Sequence, residues 1–497
     1  MTAAAGTLAT SGRTLAARET AIIAVALGLF ADVLFREASL GLNAPLWIGA
    51  LLAAIAVTRR HRTERASGAE VACLAVSFAA AAALAWRGSP ALQALLFLAS
   101  GAFLVLAVAV RAGLPWRRAG VALFLGTMVA TGLAIAAAAA RVDAALELRG
   151  RALRQSRDGL GTVLRIVLIG GPVLLVFAVL FASADAVFEE RLRWLTNVDL
   201  SGIAPHVFWF VAGAWFAGGV TWTAFEGRIH AVPQPQLPEA RRLGLTEVAS
   251  VLGALAALFA AFVAIQLRYL FGGHDLVQQT IGLTYAEYAR RGFFELVTTA
   301  VLLLPLLLLA DWARRADART GRVYRVIAGV LVSLLFVIVA SALMRMDAYE
   351  QAYGLTEPRL YAVAILVGLS MVFLLFLRTL VRGTNEWFVA GSLGAVVVVL
   401  ATLTALGPDA LIARRNLDRA ATHPFDAQHA ASLGAEAVPV LVARIEVLRP
   451  DDACTVAREL LERWGDGSGD GLRSWNWSRA AAADAVDAAR PELTRTC

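Results

Sequence analysis

VALFLGTMVATGLAIAAAAA, residues 121–140, carries no charged side chain over about 20 residues, the length a helix needs to cross the hydrocarbon core of a bilayer. Comparable apolar runs tile the chain outward in both directions, from Ala21 to Leu406. They predict helices over 20–35, 43–58, 70–86, 92–110, 121–140, 163–183, 206–223, 246–267, 292–310, 324–344, 359–377 and 387–406. The fold class expected is all-α: a polytopic transmembrane bundle of about 11–12 helices followed by a small soluble helical domain. Residues 1–19 form an N-terminal tail in this reading, 20–406 the membrane domain and 407–497 the C-terminal domain. Arg13 and Arg18 ahead of Ala21–Phe30 resemble a signal peptide, but no small-x-small cleavage site follows, so the segment reads as an uncleaved first helix.

Composition agrees: 59% of residues are hydrophobic and 17% charged, far from the mix of a water-soluble domain. The net charge of +7 comes entirely from arginine, placed mainly in short loops between apolar runs, so it reads as membrane topology and no nucleic-acid partner is expected. Trp86, Trp116, Trp194, Trp312 and Trp387 fall near the ends of runs, where interfacial aromatics gather.

Orientation is where the pattern conflicts with itself. Arg59, Arg60, Arg62 and Arg65 place the end of the second helix in the cytoplasm, and Arg111, Arg117 and Arg118 do the same for the fourth. If every later run crosses, the arginines of 141–157 and 314–322 lie outside, against the positive-inside rule. A segment between about 92 and 140 that enters without crossing removes both conflicts, giving eleven crossings and an extracytoplasmic C-terminal domain. The alternative is twelve crossings with a basic loop on the wrong side. Arg141–Gly161 reads either as an interfacial basic helix or as a solvated connector, and Pro233, Pro235 and Pro238 mark an extended linker.

Past Asp409 short amphipathic helices are expected at Phe425–Leu433, Val438–Leu448, Ala453–Trp464 and Ser478–Ala489, the third capped by Asp451 and Asp452. So few large apolar residues make a domain that docks on the membrane part. Cys454 and Cys497 are its only cysteines, and in an oxidising compartment they pair as a disulfide.

The strings Gln266-Leu-Arg268-Tyr269-Leu-Phe271-Gly272-Gly273, Leu283-Thr284-Tyr285-Ala-Glu287-Tyr288-Ala-Arg290-Arg291-Gly292-Phe293-Phe294-Glu295, Tyr349-Glu-Gln351-Ala-Tyr353-Gly354, Pro408-Asp409 through Asn416 and Arg473-Ser-Trp475-Asn476-Trp-Ser478-Arg479 resemble a bacterial family known as domain of unknown function 4173. The resemblance spans nearly the whole chain. It implies a multi-pass protein of the bacterial cytoplasmic membrane and brings no established activity with it.

Those strings also concentrate polar chemistry near membrane depth. Thr284, Tyr288, Arg291 and Glu295 share one helical face, with Arg291 and Arg268 available as partners for Glu295. Arg345, Tyr349 and Tyr353 repeat at a spacing of four, and Arg359 opens the next helix. If the eighth to eleventh helices pack together, Arg268, Tyr269, Tyr285, Tyr288, Arg291, Glu295, Arg345, Tyr349, Tyr353 and Arg359 gather at one end, either as packing contacts or as a site for an anionic or zwitterionic group.

No Walker loop, zinc-protease helix or nucleophile elbow occurs, and no cofactor or metal is expected. Asp466–Gly471 matches half of a calcium loop, but Trp477 stands where the closing glutamate belongs, and His423 and His429 lack a helical metal spacing. The leading expectation is non-catalytic transport or binding of a small solute or lipid headgroup, with membrane lipids as the surrounding partner. A membrane transferase whose arginines hold phosphate is one alternative, and a structural or sensory subunit is the other.

Overall fold

The computed structural model describes residues 2–60, 66–146, 200–228, 238–271, 293–384, 386–467, 469 and 471–497. The membrane helices are α1 (Thr2–Phe35), α2 (Asn43–Arg59), α3 (Gly68–Trp86), α4 (Pro90–Arg111), α5 (Val121–Ala136), α6 (Ala138–Ala145) and α7 (Leu200–Glu226). They continue with α8 (Leu245–Phe271), α9 (Phe293–Ala313), α10 (Ala318–Tyr353), α11 (Glu357–Arg382) and α12 (Phe388–Leu406). No strand occurs among the described residues, only an isolated bridge between Leu243 and Arg314. Eight helices are long and apolar enough to cross a membrane, or nine if the bent pair α5–α6 counts as one span, and α2 is a shorter apolar helix. Only six of the 19 residues of α12 are buried, while Val396, Val398 and Leu406 are exposed. Apolar surface turned outward along so many helices fits a lipid solvent. The chain is a multi-pass integral membrane protein.

Two apolar cores organise the bundle. One joins α8, α9, α10, α11 and the start of α12 around Leu252, Leu303, Leu331, Leu335 and Phe373. The other joins α1, α2, α4, α5 and α7 around Leu51, Leu104 and Val220. Leu84, Leu92 and Leu403 tie α3 and α4 to α12 between them. Gly28 and Gly213 let α1 and α7 meet closely: a Cβ on Gly213 would stand 2.5 Å from that of Ala31, and one on Gly28 would stand 2.6 Å from the Phe210 carbonyl.

Residues 121–140 do not form one straight helix. α5 and α6 meet at 53°. The turn before α5 bonds the start of α12, Arg117 carbonyl accepting from Trp387 N–H at 2.7 Å. At the far end of the pair Arg141 pairs with Glu226 and Thr223 in the last turns of α7, where Arg111 from the end of α4 also donates to the Ala224 carbonyl at 2.6 Å. Both ends of the bent pair thus contact the ends of α4, α7 and α12, and the 53° bend makes it either a broken span or a re-entrant segment. The expected helix over 163–183 and most of 141–161 lie outside the described residues, as do 231–237 of the proline linker.

At the end of the bundle where α4 and α7 finish stand Arg59, Arg60, Arg111, Arg117, Arg118, Arg141, Arg314, Arg315, Arg319, Arg322, Arg378 and Arg382, which makes it the arginine end. Buried Glu70 there accepts from Arg59 at 2.9 Å and lies 3.7 Å from Arg111. Near the opposite end Asp32 pairs with His206 at 2.8 Å and Arg36 at 3.4 Å, so it neither faces lipid nor stands alone.

The C-terminal domain sits on that opposite end. Its helices are α13 (Pro408–Arg419), α14 (Ala427–Ser432), α15 (Val438–Ala443), α16 (Pro450–Trp464), α17 (Trp477–Ala488) and α18 (Arg490–Thr496). α13 was not anticipated, and Asp451 and Asp452 fall inside the first turn of α16, with Arg449 as the N-cap, so they serve the helix dipole and not the cap. Docking is directed at backbone: Leu42 and Asn43 N–H donate to the carbonyls of Trp475 and Arg473, and Ser478 Oγ donates to the Trp86 carbonyl at 2.7 Å. Gly41 permits the approach, since a Cβ there would lie 2.2 Å from the Ser474 carbonyl oxygen. Cys454 and Cys497 come together as a disulfide, with Cα atoms 4.8 Å apart.

Candidate functional site

α10 is 36 residues long, opened by Asp317, whose carboxylate accepts from Thr320 N–H at 2.8 Å and is held below the usual carboxylate range by that bond. It continues well past the expected limit of 344 because no glycine or proline intervenes until Gly354, which adopts φ +81°. Ser341, Arg345, Tyr349 and Tyr353 thus form a continuous four-spaced stripe running toward the docked domain.

Arg345 and Ser341 meet Gln266 of α8. Both Arg345 and Gln266 are buried, and the Gln266 amide oxygen accepts from the Arg345 guanidinium and from Ser341 Oγ at 3.3 Å. Further along, the Arg359 guanidinium lies 3.9 Å above the Tyr349 ring, whose edge meets Tyr353 at 5.1 Å between centroids. Arg359 also donates to the Gly354 carbonyl, closing the turn between α10 and α11. Asn416 of α13 pairs with both backbone groups of Leu355, accepting at 2.8 Å and donating at 2.9 Å, and Arg419 donates to the Gln351 carbonyl. A Cβ at Gly354 would meet Asn416 Oδ1 at 2.7 Å, so this turn needs glycine for its φ and for the domain's approach.

Of the ten residues expected to gather, the structure brings Tyr349, Tyr353 and Arg359 into direct contact, with Arg345 one turn earlier on the same stripe. The side chains of Arg268 and Tyr269 lie outside the described residues, as do Tyr285, Tyr288 and Arg291 altogether. Glu295 is exposed in the first turn of α9, where the helix dipole favours a carboxylate without burial, and its expected partners, Arg291 and the Arg268 side chain, lie outside the described residues. Gln266, Ser341 and Asn416 were missed as site residues. Gln266 is the one polar side chain between 251 and 266, and Ser341 extends the four-spacing of Arg345 back by one turn; both signals are visible in sequence. Among the described residues no group of three or more His, Cys, Asp or Glu has a metal-holding arrangement. The His423 ring bonds its neighbour Thr422 at 2.8 Å.

The arrangement presents fixed guanidinium and phenol groups at the end of an apolar helix interface, a set suited to an anion. Over residues 70–443 the chain matches a family described as Domain of unknown function (DUF4153). The expected number 4173 is not supported, whereas an uncharacterised family covering most of the chain is. No curated protein and no solved structure matches.

Proposed function

The chain belongs to the DUF4153 family of unknown function, and from that membership and the geometry of α8, α10 and α11 we propose a non-catalytic binding or transport role. The ligand is a small anion, free or as the headgroup of a lipid, recognised at the domain end of the bundle by Arg345 with Tyr349 and Arg359. The observation that carries this reading is Arg345: a buried guanidinium whose direction is set by Gln266 rather than left to its flexible stem. A cation oriented before the ligand arrives avoids much of the ordering cost of binding. The transferase alternative needs a carboxylate beside phosphate-binding arginines; Glu295 is exposed, and Glu350, near Arg359, Arg415 and Arg419, is the group that reading would use.

The protein in this proposal lies in the bacterial cytoplasmic membrane with residues 407–497 outside. Two features support that side: the arginines cluster at the opposite end, and the domain holds a disulfide.

Melting of the full-length protein in neutral detergent tests the binding role. A ligand at a hundred times its Kd adds about 2.7 kcal/mol. A rise with inorganic phosphate indicates a free anion, and a rise only with phosphatidylglycerol indicates a headgroup. Arg345→Gln is expected to abolish the rise, and to lower the unliganded stability only by the loss of the buried Gln266 contact, about 1–3 kcal/mol. No rise with either probe, or an equal rise in the variant, defeats the reading.

A further inference from the structure

Where the C-terminal domain meets the bundle, three carboxyl groups from three elements converge. Asp409, in the first turn of α13, is fully buried; its Oδ2 accepts from Gly434 N–H at 3.1 Å, and its Oδ1 has no hydrogen-bond donor. Glu436, just before α15, is 7% exposed; its Oε1 accepts from Gly88 N–H at 3.0 Å, and its Oε2 is also without a donor. Glu357, in the first turn of α11, touches the Asp409 carboxyl. Space is tight: a Cβ on Gly434 would lie 2.2 Å from Asp409 Oδ2, and one on Gly407 would lie 3.0 Å from both Glu436 Oε2 and Arg87 Nη1. Arg87 is engaged by the carbonyls of Thr404 and Ala405, at 2.6 and 3.1 Å.

Two carboxylates in contact repel, and a buried carboxylate oxygen without a donor is costly. One proton resolves both. Placed on Asp409 Oδ1, it turns the orphan acceptor into a donor and Glu357 into its acceptor. We propose that buried Asp409 and half-buried Glu357 form an acid pair that binds one proton at neutral pH, and that this proton closes the junction between α11, α13 and the α3–α4 turn. The groups facing the pair are Glu436, Tyr361 and Gly434 N–H, with Arg87 and Arg414 as the neighbouring positive charges. Burial foremost, then the contact with Glu357 and the charges of Glu357 and Glu436, pushes Asp409 up to about 8, against the pull of Gly434 N–H. Burial moves Glu436 in the same direction.

The sign follows directly. The docked state binds the proton more tightly than the undocked one, whose aspartate titrates near its ordinary value of about 4. Docking is therefore strongest below that value, weakens by up to about tenfold per unit as pH rises toward about 8, and is flat above it.

The full-length protein in nanodiscs provides the test. Asp409→Asn keeps a neutral donor facing Glu357 and removes the titration. The wild type is expected to show the infrared carbonyl band of a protonated carboxyl at pH 7, absent from the variant, and a melting temperature that falls between pH 6 and 8 more steeply than the variant's. No such band in the wild type, or equal pH slopes, overturns the proposal. If Asp409→Asn does not fold, Glu357→Gln supplies the outcome, because removing the like charge should lower the pH at which the band is lost. An unchanged midpoint also overturns the proposal.

Discussion

Asn476 is fully buried, donates through its amide nitrogen to the carbonyls of Leu84 at 2.8 Å and Arg87 at 2.9 Å, and accepts from Arg479 N–H at 3.1 Å as the N-cap of α17. Asn476→Ala removes a cap worth about 1 kcal/mol and two buried hydrogen bonds to the end of α3, each worth about 0.5–1.5 kcal/mol, while Gln93 still donates to the Arg87 carbonyl at 2.7 Å. The expected cost is about 2–4 kcal/mol in denaturant unfolding of the purified protein, and a loss below about 1 kcal/mol would contradict this role. Asn476→Asp, which keeps the cap but not the donors, should recover only the smaller share. The string Arg473 to Arg479 stood out in the sequence, yet its task was not legible there. It addresses backbone carbonyls, which every residue carries, so no complementary pattern of side chains announces the partner. Arg345 was legible as an arginine at membrane depth; Gln266, lying 79 positions away, became its partner only through the packing of α8 on α10.

Between elements, α1 and α7 approach closely at Gly28 and Gly213. Gly213→Val forces the helices apart where a Cβ already lacks room, and overpacking of this kind costs about 1–3 kcal/mol. Gly253→Ala, at a position open to space, should be neutral or slightly stabilising when the two variants are melted side by side. The disulfide between Cys454 and Cys497 fastens α18 to α16 across 43 positions, and closing such a loop contributes about 4 kcal/mol in the chain-entropy description. Reductant should lower the melting temperature of the wild type but not of a Cys454→Ala variant, and free-thiol labelling should rise on reduction. Apolar length made each helix legible, yet residues 121–140 show its limit. A bent pair and a straight crossing helix share one composition, because both are dissolved in the same lipid, and only the structure reveals the 53° break between α5 and α6. Helix α10 shows the converse: hydropathy falls at its polar end, but the backbone has no reason to stop before Gly354.

For the whole molecule, the arrangement of arginines predicts a side. Alkaline phosphatase fused after Cys497 is expected to be active and green fluorescent protein at the same position dark, whereas the opposite pair of results would place the domain in the cytoplasm. The all-α bundle and its trailing domain could be read from the apolar runs and their end at Leu406. The domain's seat could not, since it depends on which turns share an end.

That seat also polarises motion. Asn43, Trp86 and Leu355 belong to three separate inter-helix turns, and the C-terminal domain bonds the backbone of each. At the arginine end Glu70 and Arg141 join helices through side chains, whereas the domain bonds backbone at three turns, so a tilt about the domain end displaces the arginine end most. Over a helix of about 20 residues, about 30 Å long, a tilt of about 10° moves the arginine end by about 5 Å and the domain end hardly at all. Spin labels near Arg60 and Arg382 should therefore report broad distance distributions, and labels beside Asn43 and Leu355 narrow ones. Equally narrow distributions at both ends would show that the bridges of Glu70 and Arg141 fasten the arginine end as firmly as the domain fastens the other.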